Sequence, residues 1–346
     1  MQIATHIGYA ARNFTTCTAM RDYTFEMRCF RRSFGALPTR RRLLGAIALV
    51  LMAGVSLAQF GGGSRRWSGG EFLAGDEPIQ PLPADRDGVP KWQLDPGFTK
   101  DAFTFVRLRF TNGHRSRTGR GFGGGIGAGF AGGFGNGTAT SWLNDWPAAD
   151  LNFSFRLQQL TSIKVNPDPM QLEIEDERLF DYPFVIMRQI GSLEFSERQV
   201  EILRRYLLNG GFLMVDDEWG SDQQNWREQI KRVFPQREPV ELTLDHPIFH
   251  CVFDLKKLPQ LPTLQMWLRD SQLGEPDRTW RSEVDGGPHF RAIYDDSGRM
   301  MVLECANSDI ADSWEREGEN EEYFHRFSEK YGYPLGINII FYAMTH

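Results

Sequence analysis

The chain has 346 residues, a formal net charge of −6 and 24% charged residues. This composition is ordinary for a globular protein, and the acidic balance gives no electrostatic reason to expect a nucleic-acid partner. Because roughly the first hundred residues lack the apolar periodicity of a packed core, about 250 residues remain for folding, which suits one large domain.

The N-terminal segment, residues 1–58, has the parts of an export signal. An arginine-rich region ending at Arg42 precedes an uncharged apolar run, 43–58. The residues around Arg40 and Arg41 resemble a twin-arginine signal, although arginine-rich regions also serve the general secretory route. The alternative is an uncleaved membrane anchor, since the run is somewhat shorter than the ~20 residues that span a bilayer. We therefore expect an exported protein, either periplasmic or anchored at the outer face of the cytoplasmic membrane.

Two low-complexity segments surround the start of the expected domain, 98–346. Residues 59–97 are rich in glycine, proline, serine and charge, which predicts a linker. A glycine-rich run, 119–137, contains no lysine and lacks the order of a phosphate-binding loop, so we interpret it as a surface insertion. Beyond the leader only Cys251 and Cys305 remain, and we expect both to be buried, unreactive thiols.

Hydrophobic periodicity predicts alternating strands and helices from residue 103 onward. The predicted strands are 103–110, one around 163, 172–174, 184–190, 212–215, 240–244, 290–294 and 300–304, and the predicted helices include 153–160, 197–207, 222–233 and 336–344. A capping box, Ser196 to Gln199, begins one helix, and Gly210-Gly211 ends it. This series is typical of a mostly parallel sheet covered on both faces, so we predict a three-layer α/β fold. The proline-containing region 251–287 is interpreted as an irregular insertion or lid.

Short motifs follow one another in a specific order along the chain. They include Arg107-Leu108-Arg109-Phe110, Trp142 with Asp145 and Pro147, Val215-Asp216-Asp217, His246-Pro247-Ile248-Phe249 and Asn307-Ser308-Asp309. In this order they resemble the DUF4159 family, a bacterial envelope-associated family of unassigned function, over about 98–346. The resemblance implies a fold similar to class I glutamine amidotransferases or flavodoxin, and partners in membrane-associated assemblies with von Willebrand A and MoxR-like ATPase proteins. It supplies no catalytic residues, and the run 119–137 departs from the family pattern.

The cysteines do not fit glutamine amidotransfer. That reaction needs a cysteine on a sharp strand-to-helix turn, flanked by glycines that let the backbone bend. Cys305 follows Glu304 and precedes Ala306, and Cys251 lies between His250 and Val252. If the protein is an enzyme, the sequence favours a hydrolase.

The candidate ligand-binding residues are Asp216, Asp217, His246, Asn307, Asp309, Arg107 and Arg109. Ligands of open α/β sheets bind beyond the carboxyl ends of the strands, where Asp216 and Asp217 fall. The alternative for these two acids is structural: helix capping, or an ion pair with Arg107 or Arg109.

Polar residues after the next strand extend this set. Asn307, Asp309 and Asp312 would lie at the same edge if that strand is parallel, and they could complete an oxygen-rich cation or sugar site. His246 and His250 are separated by a proline, so helical zinc geometry does not follow, and a hydrogen-bonded loop histidine is the alternative to a ligand. The sequence assigns no metal ligands and leaves any cofactor open.

We expect a non-catalytic envelope module that binds a ligand or a protein partner in the crevice at the sheet edge. One alternative is a hydrolase that acts on carbohydrate or another envelope component. It would use Asp216, Asp217, His246 and Asp309, either alone or with the help of a metal ion. The other is a purely structural adaptor.

Overall fold

The computed structural model describes residues 79–94, 96–98, 101–110, 141–281 and 286–346. The leader, most of the linker and the run 119–137 lie outside these ranges, so what we expect of them stays a prediction. Within the described ranges no helix is long and apolar enough to cross a membrane, and the apolar run 43–58 lies outside them.

A mixed sheet of seven strands forms the centre of the domain. The strands are β1 (Val106–Arg109), β2 (Met170–Glu173), β3 (Phe184–Arg188), β4 (Phe212–Glu218), β5 (Val240–Glu241), β6 (His289–Tyr294) and β7 (Met300–Ala306), in the order β2-β1-β3-β4-β7-β6-β5. The first five strands of this order are parallel, and β6 pairs antiparallel with both β7 and β5. The carboxyl ends of β1, β3, β4 and β7 therefore lie at one edge, called the carboxyl edge below.

Helices cover both faces of the sheet. They are α1 (Ala148–Leu160), α2 (Glu197–Leu208), α3 (Ser221–Val233), α4 (Leu264–Gln272), α5 (Asp312–Glu315), α6 (Glu321–Tyr323) and α7 (Tyr333–Thr345), with a π-helix, Phe324–Gly332, between α6 and α7. One apolar layer joins the sheet to α1, α4, α5 and α7, and the other joins it to α2 and α3. This arrangement confirms the predicted α/β fold with a mostly parallel sheet, while the likeness to amidotransferases stays a prediction.

Local sequence explains where α2 and α7 lie. The Ser196 hydroxyl accepts the Gln199 N–H at 3.1 Å, and the Gln199 side chain accepts the Ser196 N–H at 3.0 Å, which confirms the capping box before α2. Helix α7 packs so closely that a Cβ on Gly336 would lie 2.5 Å from the Phe153 ring and 2.6 Å from the Trp314 ring. Glycine is therefore required there by packing.

The structure differs from the predictions in several places. Helix α4 occupies a region predicted to be irregular, and Thr263 caps it by accepting the Met266 N–H at 3.1 Å. Strand β5 has two residues, because the chain turns soon after it. The prediction that both cysteines are buried is wrong for Cys251, which is exposed, and right for Cys305.

The end of the segment predicted as a linker contacts the domain beside β2. The Gln80 N–H donates to the Gln171 side chain at 3.2 Å, and the Trp92 indole N–H donates to the Val165 carbonyl at 2.7 Å. Arg86, between them, is buried and donates to the Pro167 carbonyl at 2.5 Å. These contacts hold residues 80–92 against β2 and the loop that precedes it.

Candidate functional site

Arg188 lies at the centre of the carboxyl edge. It is the last residue of β3, after four buried apolar residues, and its side chain is 0% exposed. Its guanidinium forms ion pairs with Asp145 and Asp309, and its Nε lies 3.5 Å from Asp216 Oδ2. Because these acids come from the turn before α1, from β4 and from the loop after β7, one arginine connects three separate segments of the carboxyl edge.

Asp216 holds the loop that follows β7. Its two carboxylate oxygens accept the backbone N–H groups of Ile310 and Ala311 at 3.1 and 3.0 Å. Burial raises the pKa of Asp216, while Arg188 and these backbone donors oppose the rise. The contacts match the structural alternative considered for this residue.

Asp217 occupies a bulge where the pairing of β4 with β7 shifts, and its φ of 59° is left-handed. Its Oδ1 accepts from the Trp219 indole at 2.9 Å and from Arg281 at 3.0 Å. Its Oδ2 is buried and has no hydrogen-bond partner. Burial raises the pKa of Asp217 to about 6. The arginines that pair with the two acids are thus Arg188 and Arg281.

The sequence had instead offered Arg107 or Arg109 as those partners, and the structure corrects this. Arg107 binds Asp150 of α1, with Nε 3.1 Å from Oδ1, and donates to the Trp142 carbonyl at 3.0 Å. Arg109 pairs with Glu173 of β2 at 3.0 Å, and its guanidinium lies 4.9 Å from the Trp142 ring centre. Both arginines therefore connect β1 to its neighbours.

A second group of carboxylates adjoins the Arg188 network. Asp145, Asp312 and Glu315 each offer one oxygen, and these oxygens all lie within 4.8 Å of one another. Burial raises the pKa of Asp312 to about 6 and that of Glu315 to about 8. Arg316 Nε lies 2.7 Å from Glu315 Oε2, but neither atom makes a hydrogen bond. An all-oxygen set of this kind is the type that hard divalent cations prefer.

The comparison with protein families bears on this edge. A family model described as "Domain of unknown function (DUF4159)" matches residues 136–344. The chain belongs to the DUF4159 family. A search of curated proteins found no match. The matched DUF4159 region contains every acid described above at the carboxyl edge, whereas Arg107 and Arg109 precede it, and its description assigns no activity.

The opposite face of the DUF4159 sheet carries another pair of buried acids, Glu218 and Glu304. Arg291 donates to Glu304 Oε1 at 2.7 Å, but both oxygens of Glu218 and Oε2 of Glu304 lack a hydrogen-bond partner. Burial raises the pKa of Glu218 well above its ordinary value, and the charge of Glu304 raises it further. The sequence grouped Glu218 with Asp216 and Asp217, but the bulge sends it to the other face.

Asn307 and His246 lie in different parts of the sheet. Asn307 directly follows β7, where its Oδ1 accepts from Gln223 at 2.6 Å. His246 Nδ1 accepts the Ile248 N–H at 3.2 Å, and its Nε2 lies 3.2 Å from the hydroxyl of Tyr294. Tyr294 belongs to β6, so His246 lies beside β6, which β7 separates from β4 and its acids. The structure therefore brings Asp216, Asp217, Asn307 and Asp309 to one edge and leaves His246 apart.

Sequence reasoning overlooked Arg188, Glu315 and the role of Asp145. Arg188 had a signal: it is a lone charge at the end of an apolar strand, at the position from which side chains reach the carboxyl edge. Glu315 had none, because its proximity to Asp145 depends on how α5 packs against α1.

Proposed function

We propose that this domain is a non-catalytic module of the bacterial envelope that binds a ligand or a protein partner. The Arg188 network is the observation that supports this most. Asp145, Asp216 and Asp309 are each buried and held by Arg188, so these three carboxylates already have an internal partner. Such a network fixes the geometry of a binding surface, since hydrogen bonds between charged groups are strong.

Catalysis is less well supported. A general base or a nucleophile must come within hydrogen-bond reach of its substrate. The histidine that a hydrolase was expected to use, His246, contacts Tyr294 of β6, which β7 separates from β4 and its acids. A cavity of about 360 Å³ is lined by residues between 274 and 280, and one of about 210 Å³ by residues between 180 and 211, and neither is lined by an acid of the carboxyl edge.

One observation favours the hydrolase as a second candidate. Burial raises the pKa of Glu315 to about 8, which keeps its carboxyl protonated at neutral pH, as a general acid requires. Asp312, with a pKa raised to about 6, lies beside it and would be ionised at the same pH. Two neighbouring carboxyls in different protonation states are the usual basis of acid–base chemistry.

Thermal melts and turnover assays on the purified chain separate the two candidates. The melts use Ca²⁺, Mg²⁺, Mn²⁺ and oligomers of N-acetylglucosamine, and the turnover assays use chromogenic glycosides, carboxylic esters and phosphate esters. We expect at least one probe to raise the melting temperature, since a ligand at a hundred times its Kd stabilises the folded state by about 2.7 kcal/mol. We expect no turnover. The hydrolase would be supported instead if the wild type showed turnover and Glu315→Gln abolished it. The control Glu194→Gln, at an exposed position, should then keep the turnover.

The envelope location has its own test. The arginine pair Arg40 and Arg41 before the apolar run 43–58 supports export, so the double substitution Arg40→Lys with Arg41→Lys should leave the precursor in the cytoplasm on fractionation. The matched control is the upstream pair Arg31→Lys with Arg32→Lys, which should be exported. An exported double variant would move the protein to the general secretory route, and a cytoplasmic wild type would contradict the envelope assignment.

A further inference from the structure

We infer that Asp145, Asp312 and Glu315 form a binding site for a divalent cation at the carboxyl edge. The inference names a ligand class for the module proposed above and rests on that proposal. It draws on four features of the edge: the spacing of the oxygens, the balance of charge, a buried oxygen without a donor, and the position of Arg316.

The spacing of the three carboxylates suits a single ion. Two oxygens on opposite sides of an ion at the calcium distance of about 2.4 Å are about 4.8 Å apart. One oxygen from each of the three residues lies within 4.8 Å of the other two. Separations within this limit are compatible with one ion bound by all three carboxylates, and water would complete its coordination.

Carboxyl groups outnumber arginines in this part of the molecule. The acids are Asp145, Asp216, Asp309, Asp312 and Glu315, and the arginines that contact them are Arg188 and Arg316. Arg188 is shared among three of the acids. Buried carboxyl groups are stable only when a positive charge or a proton compensates them, so a bound cation would take the place of a proton in this group.

Asp217 supplies an independent observation. Its side chain is 1% exposed, and its Oδ2 has no donor. Of the charges near Asp309, the charge of Asp217 has the largest effect on the pKa of Asp309. The charge of Asp145 raises the pKa of Asp217. The charge of Asp217 therefore acts on Asp309, which belongs to the same group of acids. A buried oxygen without a donor calls for a water or an ion in its vicinity.

Arg316 occupies the solvent side of the site and controls access to it. Its Nε lies 2.7 Å from Glu315 Oε2 and 3.6 Å from Asp312 Oδ1, with no hydrogen bond to either. Its Nη1 donates to Glu319 at the surface, at 3.0 Å. The side chain is 25% exposed, so it can move toward Glu319 when an ion enters. The guanidinium and the ion compete for the same two carboxylates.

Calorimetric titration of the full-length purified chain tests the site. The chain is first treated with EDTA and then titrated separately with CaCl₂, MgCl₂ and MnCl₂, while the signal of free Mn²⁺ in electron paramagnetic resonance provides a second measure of binding. We expect one site, an affinity at least tenfold weaker in Glu315→Gln, and an unchanged affinity in the exposed control Glu322→Gln. Arg316→Ala should bind more tightly than the wild type, because it removes the competitor.

Asp312→Asn is the less reliable variant, since Asp312 also accepts the Leu264 N–H at 2.8 Å and its loss could unfold the domain. Glu315→Gln and Arg316→Ala avoid this difficulty, and circular dichroism checks that both are folded. The absence of binding in both the wild type and Arg316→Ala would overturn the inference, as would unchanged binding in Glu315→Gln. If the cations fail but N-acetylglucosamine oligomers still raise the melting temperature, the binding module stands and only the cation site falls.

Discussion

Asp216 and Asp217 are adjacent in sequence but have opposite environments. Asp216 accepts two backbone N–H groups and adjoins Arg188, whereas Asp217 has one buried oxygen without a donor. We expect Asp216→Asn to lower the free energy of unfolding by about 1–3 kcal/mol, because a charged hydrogen-bond partner is lost. Asp217→Asn should leave it unchanged or raise it, because a poorly compensated buried charge is removed. Urea denaturation in EDTA measures both, and equal losses would contradict this assignment of roles.

Glu218 makes the stability of the domain depend on pH. Its pKa is raised in the folded state by burial and by Glu304, so the folded chain keeps a proton that an unfolded glutamate loses above about pH 4.3. The contribution of Glu218 to the free energy of unfolding is therefore fully present below that pH. It is lost as the pH rises toward the pKa of Glu218 in the folded state. We expect Glu218→Gln to flatten the decline in unfolding free energy between pH 5 and 9.

The exposed Glu194→Gln serves as the control for that titration and should follow the wild-type profile. Parallel profiles for Glu218→Gln and the wild type would mean that Glu218 is ionised in the folded protein, with a donor that satisfies its oxygens.

The sequence was sufficient to place some residues of the site and not others. Asp216, Asp217, Asn307 and Asp309 could be predicted at one edge, because each follows or ends a strand of a parallel sheet. The pairing of Arg188 with Asp145 could not be predicted, since these residues are 43 positions apart in the sequence. Their contact also depends on the path of the chain between β1 and α1.

At the scale of helices and strands, the predictions were most accurate where the local sequence pattern was strongest. The capping box and apolar periodicity located α2, because both depend on residues within a few positions of one another. Helix α4 was missed although Thr263 is a good N-cap and Leu264 and Trp267 are buried, since the surrounding prolines indicated an irregular segment. Strand β5 was predicted too long because its apolar pattern continues into a turn.

Gly336 in helix α7 allows the effect of packing on stability to be compared with the effect of helix propensity. Gly336→Ala should favour the helix by about 1 kcal/mol. The added Cβ, however, would lie 2.5 Å from the Phe153 ring and 2.6 Å from the Trp314 ring, and overpacking of this kind costs about 1–3 kcal/mol. We expect Gly336→Ala to show a net loss of stability in thermal denaturation. Ala343→Gly, in the same helix, serves as a control that changes helix propensity. A gain in Gly336→Ala would show that α7 can move away from α1.

At the scale of the whole molecule, the carboxyl edge depends on strand order, which no local pattern specifies. Arg188 reaches its partners because β3 lies between β1 and β4, and Asp309 reaches Arg188 because β7 pairs with β4. His246 lies elsewhere because it contacts β6, and β7 lies between β6 and β4. Side chains from segments far apart in sequence thus form one network only after the sheet has assembled.

The glycine-rich run 119–137 lies between β1 and α1, and eleven of its nineteen residues are glycine. We expect its replacement by a six-residue glycine-serine linker to leave the fold intact. The segment 111–140 would shorten from 30 to 17 residues, which lowers the entropy cost of loop closure by roughly 0.5 kcal/mol. The melting temperature should therefore stay the same or rise slightly, and cation binding at Asp145 should persist. A large fall in melting temperature would show instead that Phe122, Phe130 and Phe134 belong to the apolar core.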